Sequence, residues 1–194
     1  MPHLVIPTLL LALVTLSLMT AGCTSDIDVA NETVRESDSL RTSAVEKLRK
    51  STAAMDGLVQ GAAAGKALPA TQTRIAADAA VADLDAALAE LSARDQKLKS
   101  AQELGLNANY QEFLRLLRES NDKLTQTVSS AQEIPELVQN EQYSLAGWDE
   151  IKTQVVVKQI YSVQQNIEKL NGESETLRNQ AEKLRQDHPE DFGE

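Results

Sequence analysis

An all-α, up-down-up-down antiparallel four-helix bundle with coiled-coil-like packing is the fold this sequence predicts. Three observations carry that prediction. The chain holds only one Trp, three Tyr and two Phe in 194 residues, and Ala, Leu, Gln, Glu, Ser and Lys dominate, a composition that favours long helices over sheet. Breaks are few and well spaced: "GAAAGKALPAT" at 61–71, "GLNAN" at 105–109 and "NEQYSLAG" at 140–147. Between them, apolar residues recur in alternating steps of three and four, the seven-residue repeat that places one stripe on each helix and calls for supercoiled packing.

The first segment, about 28–60, is the least regular. Val34, Val45, Leu48, Met55 and Val59 mark a face that Ser37, Arg41 and Ser51 interrupt. Gly57, Gly61 and Gly65 should fray its end into the loop. The second segment carries Val81, Leu84, Leu88, Leu91 and Leu98, and the third Tyr110, Leu114, Leu117, Leu124, Val128 and Ala131. Pro135 lacks a donor and crowds the preceding turn, so it should kink or split the third helix near its end. The fourth segment is the most regular, with Val156, Ile160, Val163, Ile167, Leu170, Leu177, Ala181 and Leu184. Its "VVV" at 155–157 has strand propensity but lies inside the helical period, Gly172 should loosen it, and Pro189 fits its stop. Segments of about 30–40 residues would be about 45–60 Å long, and short connections make successive helices antiparallel neighbours. The alternative is a pair of long hairpins that assemble as a homo-oligomer, because the same stripe serves an internal or an external partner.

Ahead of the bundle lies a different kind of sequence. Residues 1–22 carry no Asp, Glu, Lys or Arg, and 4–19 are nearly all apolar before the small residues "TAG". That is the layout of a secretory signal, predicted as a short helix. As a membrane span the run is short, and it contains Pro7. The single cysteine of the chain follows directly, in "TAGC" at 20–23. This resembles the lipobox of bacterial lipoproteins with a lipobox-type signal peptide. The resemblance implies cleavage after the small residues Ala21 and Gly22 and a Cys23 that carries a diacylglyceryl group and a further acyl chain, a palmitate-type modification. Two or three chains make a durable anchor where one is marginal. In the alternative, an uncleaved signal or membrane anchor, Cys23 is a small apolar residue at the end of a helix.

The organisation expected is therefore a lipoprotein signal peptide at 1–22, a lipidated N-terminus and tether at 23–27, a bundle domain at 28–188 and a solvated acidic tail at 189–194. The membrane is then a partner through the lipid. Thr24 in place of Asp favours the outer membrane of a two-membrane bacterium, on its periplasmic side or at the cell surface. In a single-membrane cell the anchor would be the outer face of the cytoplasmic membrane. Helix one would run away from the bilayer, which leaves 61–71 and 140–147 at the distal tip and 105–109 near the lipid.

Charge and motifs narrow the function. The formal net charge is −10, all of it outside the signal, and this argues against nucleic acid and anionic headgroups as partners. No phosphate loop, nucleophile elbow or metalloprotease helix occurs. His188, with Glu190, Asp191 and Glu194, lacks a recurrent ligand spacing. No catalytic residue, metal or cofactor is expected, and the chain is read as a non-enzyme. Two candidate sites remain. Tyr143, Leu145 and Trp148 at the tip could contact an envelope protein partner or plug the bundle end. Arg41, Asp95, Asn121 and Asn166 interrupt the stripes at one height and predict a polar layer with Arg41 paired to Asp95. Such a layer either fixes helix register or forms a small-molecule binding or sensing site.

Overall fold

Ser25 starts the first helix. Its hydroxyl accepts from the backbone N–H of Asp28 at 3.1 Å, and the Asp28 carboxylate accepts from the Ser25 N–H at 3.2 Å. Two of the donors that a helix start leaves open are thereby satisfied reciprocally. Helix α1 (Asp26–Ala63) follows, then α2 (Ala70–Gln102), α3 (Ala108–Leu145), α4 (Glu150–Asp187) and a terminal 3₁₀ turn (Pro189–Phe192). The structure is a computed structural model that describes residues 25–64, 69–145 and 150–193, with the side chains of 140–153 left aside. The expected signal segment, Ala21, Gly22 and Cys23 all lie outside the described residues.

The four helices form an all-α bundle in which α1 runs along α2, α2 along α3 and α3 along α4. The hairpin-dimer alternative fails on the α2–α3 contact. Leu84 and Leu91 of one hairpin share a buried cluster with Leu124 and Val128 of the other, so the stripes find their partners within the chain. Helices α1 and α4 approach each other less closely than the other neighbours. Long polar side chains span that seam: Arg41 reaches Glu175, and Gln164 Nε2 donates to Asp56 Oδ1 at 2.6 Å.

Alanine and serine occupy more of the core than the leucines suggest. The buried line of α2 is Thr73, Ala77, Ala80, Leu84, Ala87, Leu91, Arg94, Leu98 and Ala101. Small side chains let backbones come close, and the Ser51 hydroxyl of α1 donates across the interface to the Ala80 carbonyl at 3.3 Å. Three apolar clusters stack along the bundle. One at the far end is built on Met55, Val59, Ala77, Ile134, Val138 and Ile160, and a middle one on Leu48, Leu84, Leu91 and Leu124. The third, at the base, holds Tyr110, Phe113, Leu114 and Phe192.

The base is where the chain departs most from expectation. The tail at 189–194, expected to be solvated, folds back as the 3₁₀ turn and inserts Phe192, which is fully buried. Its ring lies 4.7 Å from Tyr110 and 5.2 Å, edge-on, from Phe113. The backbone of the turn is held as well. Asn31 Nδ2 donates to the Phe192 carbonyl at 3.0 Å and Asn107 Nδ2 to the Asp191 carbonyl at 2.9 Å, while Tyr110 Oη donates to Asn31 Oδ1 at 2.7 Å. Gly193 closes the turn at φ 75°, and a β-carbon there would sit 3.2 Å from Ile27 Cγ2. The α2–α3 connection joins the same end: the Gly105 N–H donates to Asp26 Oδ2 at 3.1 Å, and the Tyr110 N–H to Asn107 Oδ1 at 2.8 Å.

The helices run through several positions where the sequence suggested a break. Pro135 neither splits nor ends α3, which runs on to Leu145. Ile134 and Val138 on either side of it are buried against the other helices, and that burial outweighs one lost backbone bond. Gly57 and Gly61 lie inside α1, and Gly172 lies inside a continuous α4. The 155–157 valines are helical.

A β-carbon at Gly57 or Gly172 would meet nothing within 4 Å. Gly57→Ala and Gly172→Ala should each stabilise the fold by about 0.5–1 kcal/mol, read as a higher midpoint in urea with an unchanged slope. Acid should act in the opposite direction. Hydrogen bonds from Lys97 and Lys123 hold the Glu36 and Glu173 carboxyls below their ordinary value of 4.5. These pairs join α1 to α2 and α3 to α4. Because the folded-state values are depressed, the contribution is complete above pH 4.5 and disappears as the pH falls through them. The melting temperature should therefore drop below about pH 4.5, and Glu36→Gln with Glu173→Gln should flatten the drop.

Candidate functional site

Between the basal and middle clusters the apolar core stops for one layer. α1 contributes Ser37 and Arg41, α2 Arg94, α3 Ser120 and Asn121, and α4 Ser174, all of them buried. Arg41 and Asn121 are both buried within it. Asp95 is not: it faces the outside of the α2–α3 interface, where Arg118 Nε donates to its Oδ1 at 2.9 Å. Arg94 stands in the core instead, and Arg41 pairs with Glu175 rather than with Asp95. Asn166 is exposed and donates to Ser130 Oγ at 3.0 Å, away from the layer.

The substitution of Arg94 for Asp95 has a simple cause. Leu84, Leu91 and Leu98 fit two interleaved repeats, one through Leu88 and Asp95 and one through Ala87 and Arg94. Ala87 is fully buried and Leu88 only half-buried, so the second repeat is the one that faces the core. An alanine-rich helix offers its small residues to the closest contact and leaves the bulkier leucine on the flank. Ala77 and Ala80, in step with Ala87, were the signal available in the sequence.

Each buried polar group meets a different degree of satisfaction. The serines form a reciprocal clasp between α3 and α4: Ser120 Oγ donates to the Ser174 carbonyl and Ser174 Oγ to the Ser120 carbonyl, both at 2.8 Å. Asn121 uses both ends of its amide, with Nδ2 donating to the Leu91 carbonyl at 3.0 Å and Oδ1 accepting from Arg94 Nη1 at 3.1 Å. Arg94 is less well served. It is 0% exposed, its one carboxylate contact is to Asp38 at 3.4 Å, and its Nε has no partner. Burial pushes its guanidinium down to about 10, with the nearby charges of Arg41 and Arg178 acting in the same direction and Asp38 against them. Arg41 also leaves a buried Nε without a partner.

Outside the layer, α2 and α3 frame a solvent-open cleft of about 630 Å³. Leu88 and Leu91 form its apolar part, and Ser92, the Asp95–Arg118 pair and Asn121 line it with polar groups. Asn121 thus reaches both the buried layer and the cleft.

The other sites expected from sequence are placed less fully. The side chains of Tyr143 and Leu145, and the whole of Trp148, lie outside the described residues. His188, Glu190 and Asp191 bring ligand atoms within 4.8 Å of one another, but Asp191 Oδ2 already accepts from Asn109 Nδ2 at 2.6 Å. No helix among the described residues is long and apolar enough to cross a membrane.

Removing one half of the Arg94–Asn121 pair should cost more than removing both. Asn121→Leu should destabilise the fold by about 1–3 kcal/mol, because it strips a buried guanidinium of its best partner. Adding Arg94→Met should recover most of that loss, since buried charge networks are often matched by apolar residues of similar volume. A double-mutant cycle in urea reads the coupling directly, and additive losses would show that the two side chains act independently. Compared with protein-family models, curated proteins and solved structures, the chain matches none of them.

Proposed function

We propose that the chain is an exported lipoprotein, anchored through Cys23, whose bundle works as a non-enzymatic interaction or structural protein of the cell envelope. The observation that carries the reading is the start of α1. Only Thr24 and the capping residue Ser25 separate Cys23 from the helix, so acyl chains on Cys23 would seat the basal end of the bundle against the lipid with almost no slack. A 38-residue α1 would then carry the opposite end about 55 Å outward. The sequence where α3 passes into α4 contains Tyr143, Leu145 and Trp148; Tyr and Trp are favoured as anchors at protein interfaces, and we assign this segment to contact with an envelope partner. The net charge of −10 disfavours nucleic acid as that partner.

A second reading, binding or sensing of a small molecule, is favoured by one observation: the 630 Å³ cleft that opens beside the polar layer. Its volume lies within the range of small-ligand sites.

Mass spectrometry of the protein recovered from membranes tests the anchor. The expected product begins at Cys23 and carries diacylglyceryl and acyl mass, and Cys23→Ser should leave the unprocessed chain without lipid. Recovery of Met1 with no added mass would refute the anchor. Crosslinking in intact envelopes tests the tip. Trp148→Ala should abolish a partner crosslink while the melting temperature stays within a few degrees of the unsubstituted chain.

A further inference from the structure

The 3₁₀ turn that closes the base does more than deliver Phe192. It gathers an imidazole and two carboxylates into one place: a ligand atom from each of His188, Glu190 and Asp191 lies within 4.8 Å of the other two. In a solvated tail these side chains would move independently, and in the folded turn they do not. The Asp191 N–H donates to the His188 carbonyl at 3.0 Å, Asn107 Nδ2 donates to the Asp191 carbonyl at 2.9 Å, and the next residue, Phe192, is fully buried. The conformational entropy that a loose tail would lose on gathering around a metal has already been lost in folding the base.

The two carboxylates also lack a cation. Among the described residues, the only ion-pair contact to either is His188 Nδ1, 3.9 Å from Glu190 Oε1. Asp191 is oriented by a neutral amide instead. Asn109 Nδ2 donates to its Oδ2 at 2.6 Å, the kind of outer contact that fixes a ligating carboxylate while its other oxygen remains to bind. We propose that His188, Glu190 and Asp191 hold one divalent cation of the zinc class at the base of the bundle. The donor set selects it, because one imidazole nitrogen with two carboxylate oxygens suits zinc, whereas calcium and magnesium take oxygen ligands. Ligand atoms on one zinc sit about 3.4 Å apart, so turning the exposed Glu190 and the half-buried imidazole closes the set around Asp191, with water in the fourth position. Bound there, the ion ties the end of α4 to the 3₁₀ turn and reinforces the aromatic plug. This goes beyond the envelope reading and depends on neither Cys23, the tip nor the α2–α3 cleft.

The test uses the full chain without a histidine tag, purified in a neutral detergent, stripped of metal and titrated with zinc chloride by calorimetry. One equivalent should bind at this site. Zinc should also raise the melting temperature saturably, by about 5 °C at about a hundredfold excess over its dissociation constant. His188→Gln and Glu190→Gln should each remove that equivalent and the shift. Asn109→Ala, which keeps all three ligands, should weaken binding about tenfold or more. Calcium chloride at the same concentration should leave the melting temperature unchanged. Crystals grown with zinc should show anomalous density between His188 and Asp191. An absence of bound zinc, zinc binding that survives His188→Gln and so belongs to His3, Cys23 or another group, or equal binding of calcium would each overturn the proposal. Should His188→Gln fail to fold, Glu190→Gln at its exposed position and the anomalous density decide.

Discussion

Everything about the register of this bundle follows from the need to bury the Arg94 guanidinium in company. A charged side chain with no exposed surface can be tolerated only where neighbouring helices bring polar groups to the same height. Asn121 meets that need from α3 and Asp38 from α1, while Arg41 and Ser174 complete the layer from α1 and α4. A one-heptad slip of α2 would take Arg94 away from both Asn121 and Asp38 and set it beside apolar layers. The apolar clusters above and below stabilise the bundle, but their repeating Leu and Ala residues resemble one another from heptad to heptad and discriminate poorly between registers. The polar layer supplies the discrimination, at the cost of donors left without acceptors.

The two ends of the bundle are built differently. At the base, the start of α1, the α2–α3 connection and the chain terminus are knitted together by Asp26, Asn31, Asn107 and Asn109 around a buried aromatic trio. Burying a Phe side chain contributes about 1.5–3 kcal/mol, so Phe192 ties down a terminus that would otherwise fray. The far end relies on an apolar cluster of Met55, Val59, Ile134 and Ile160.

Much of this fold was legible beforehand, because four long amphipathic repeats separated by Gly, Pro and Asn have few ways to bury their stripes. Site residues were less legible. Arg41 and Asn121 announce themselves as polar interruptions of an apolar repeat, and both are buried. Asp95 and Arg94 are adjacent, and leucines spaced by seven cannot choose between them; the choice lies with Ala87, whose small size is informative only when a neighbouring backbone is close. The partner of Arg41 was illegible for a related reason, since Glu175 lies 134 positions away across the seam that packs least tightly. Phe192 sits in a short acidic stretch without periodicity, and nothing local marks it as core.

The sequence by itself determined the helices, their order and antiparallel path, the acidic surface and the resemblance at residues 20–23 to a lipidation signal. These are properties of periodicity, composition and short motifs, each contained within a few turns of chain. Only the tertiary structure decided which of two overlapping repeats on α2 faces inward, how Arg94 and Arg41 find their partners, and that the terminus plugs the base. Those outcomes depend on the distance between backbones and on contacts between residues remote in the chain. Neither quantity is written in any local stretch of residues.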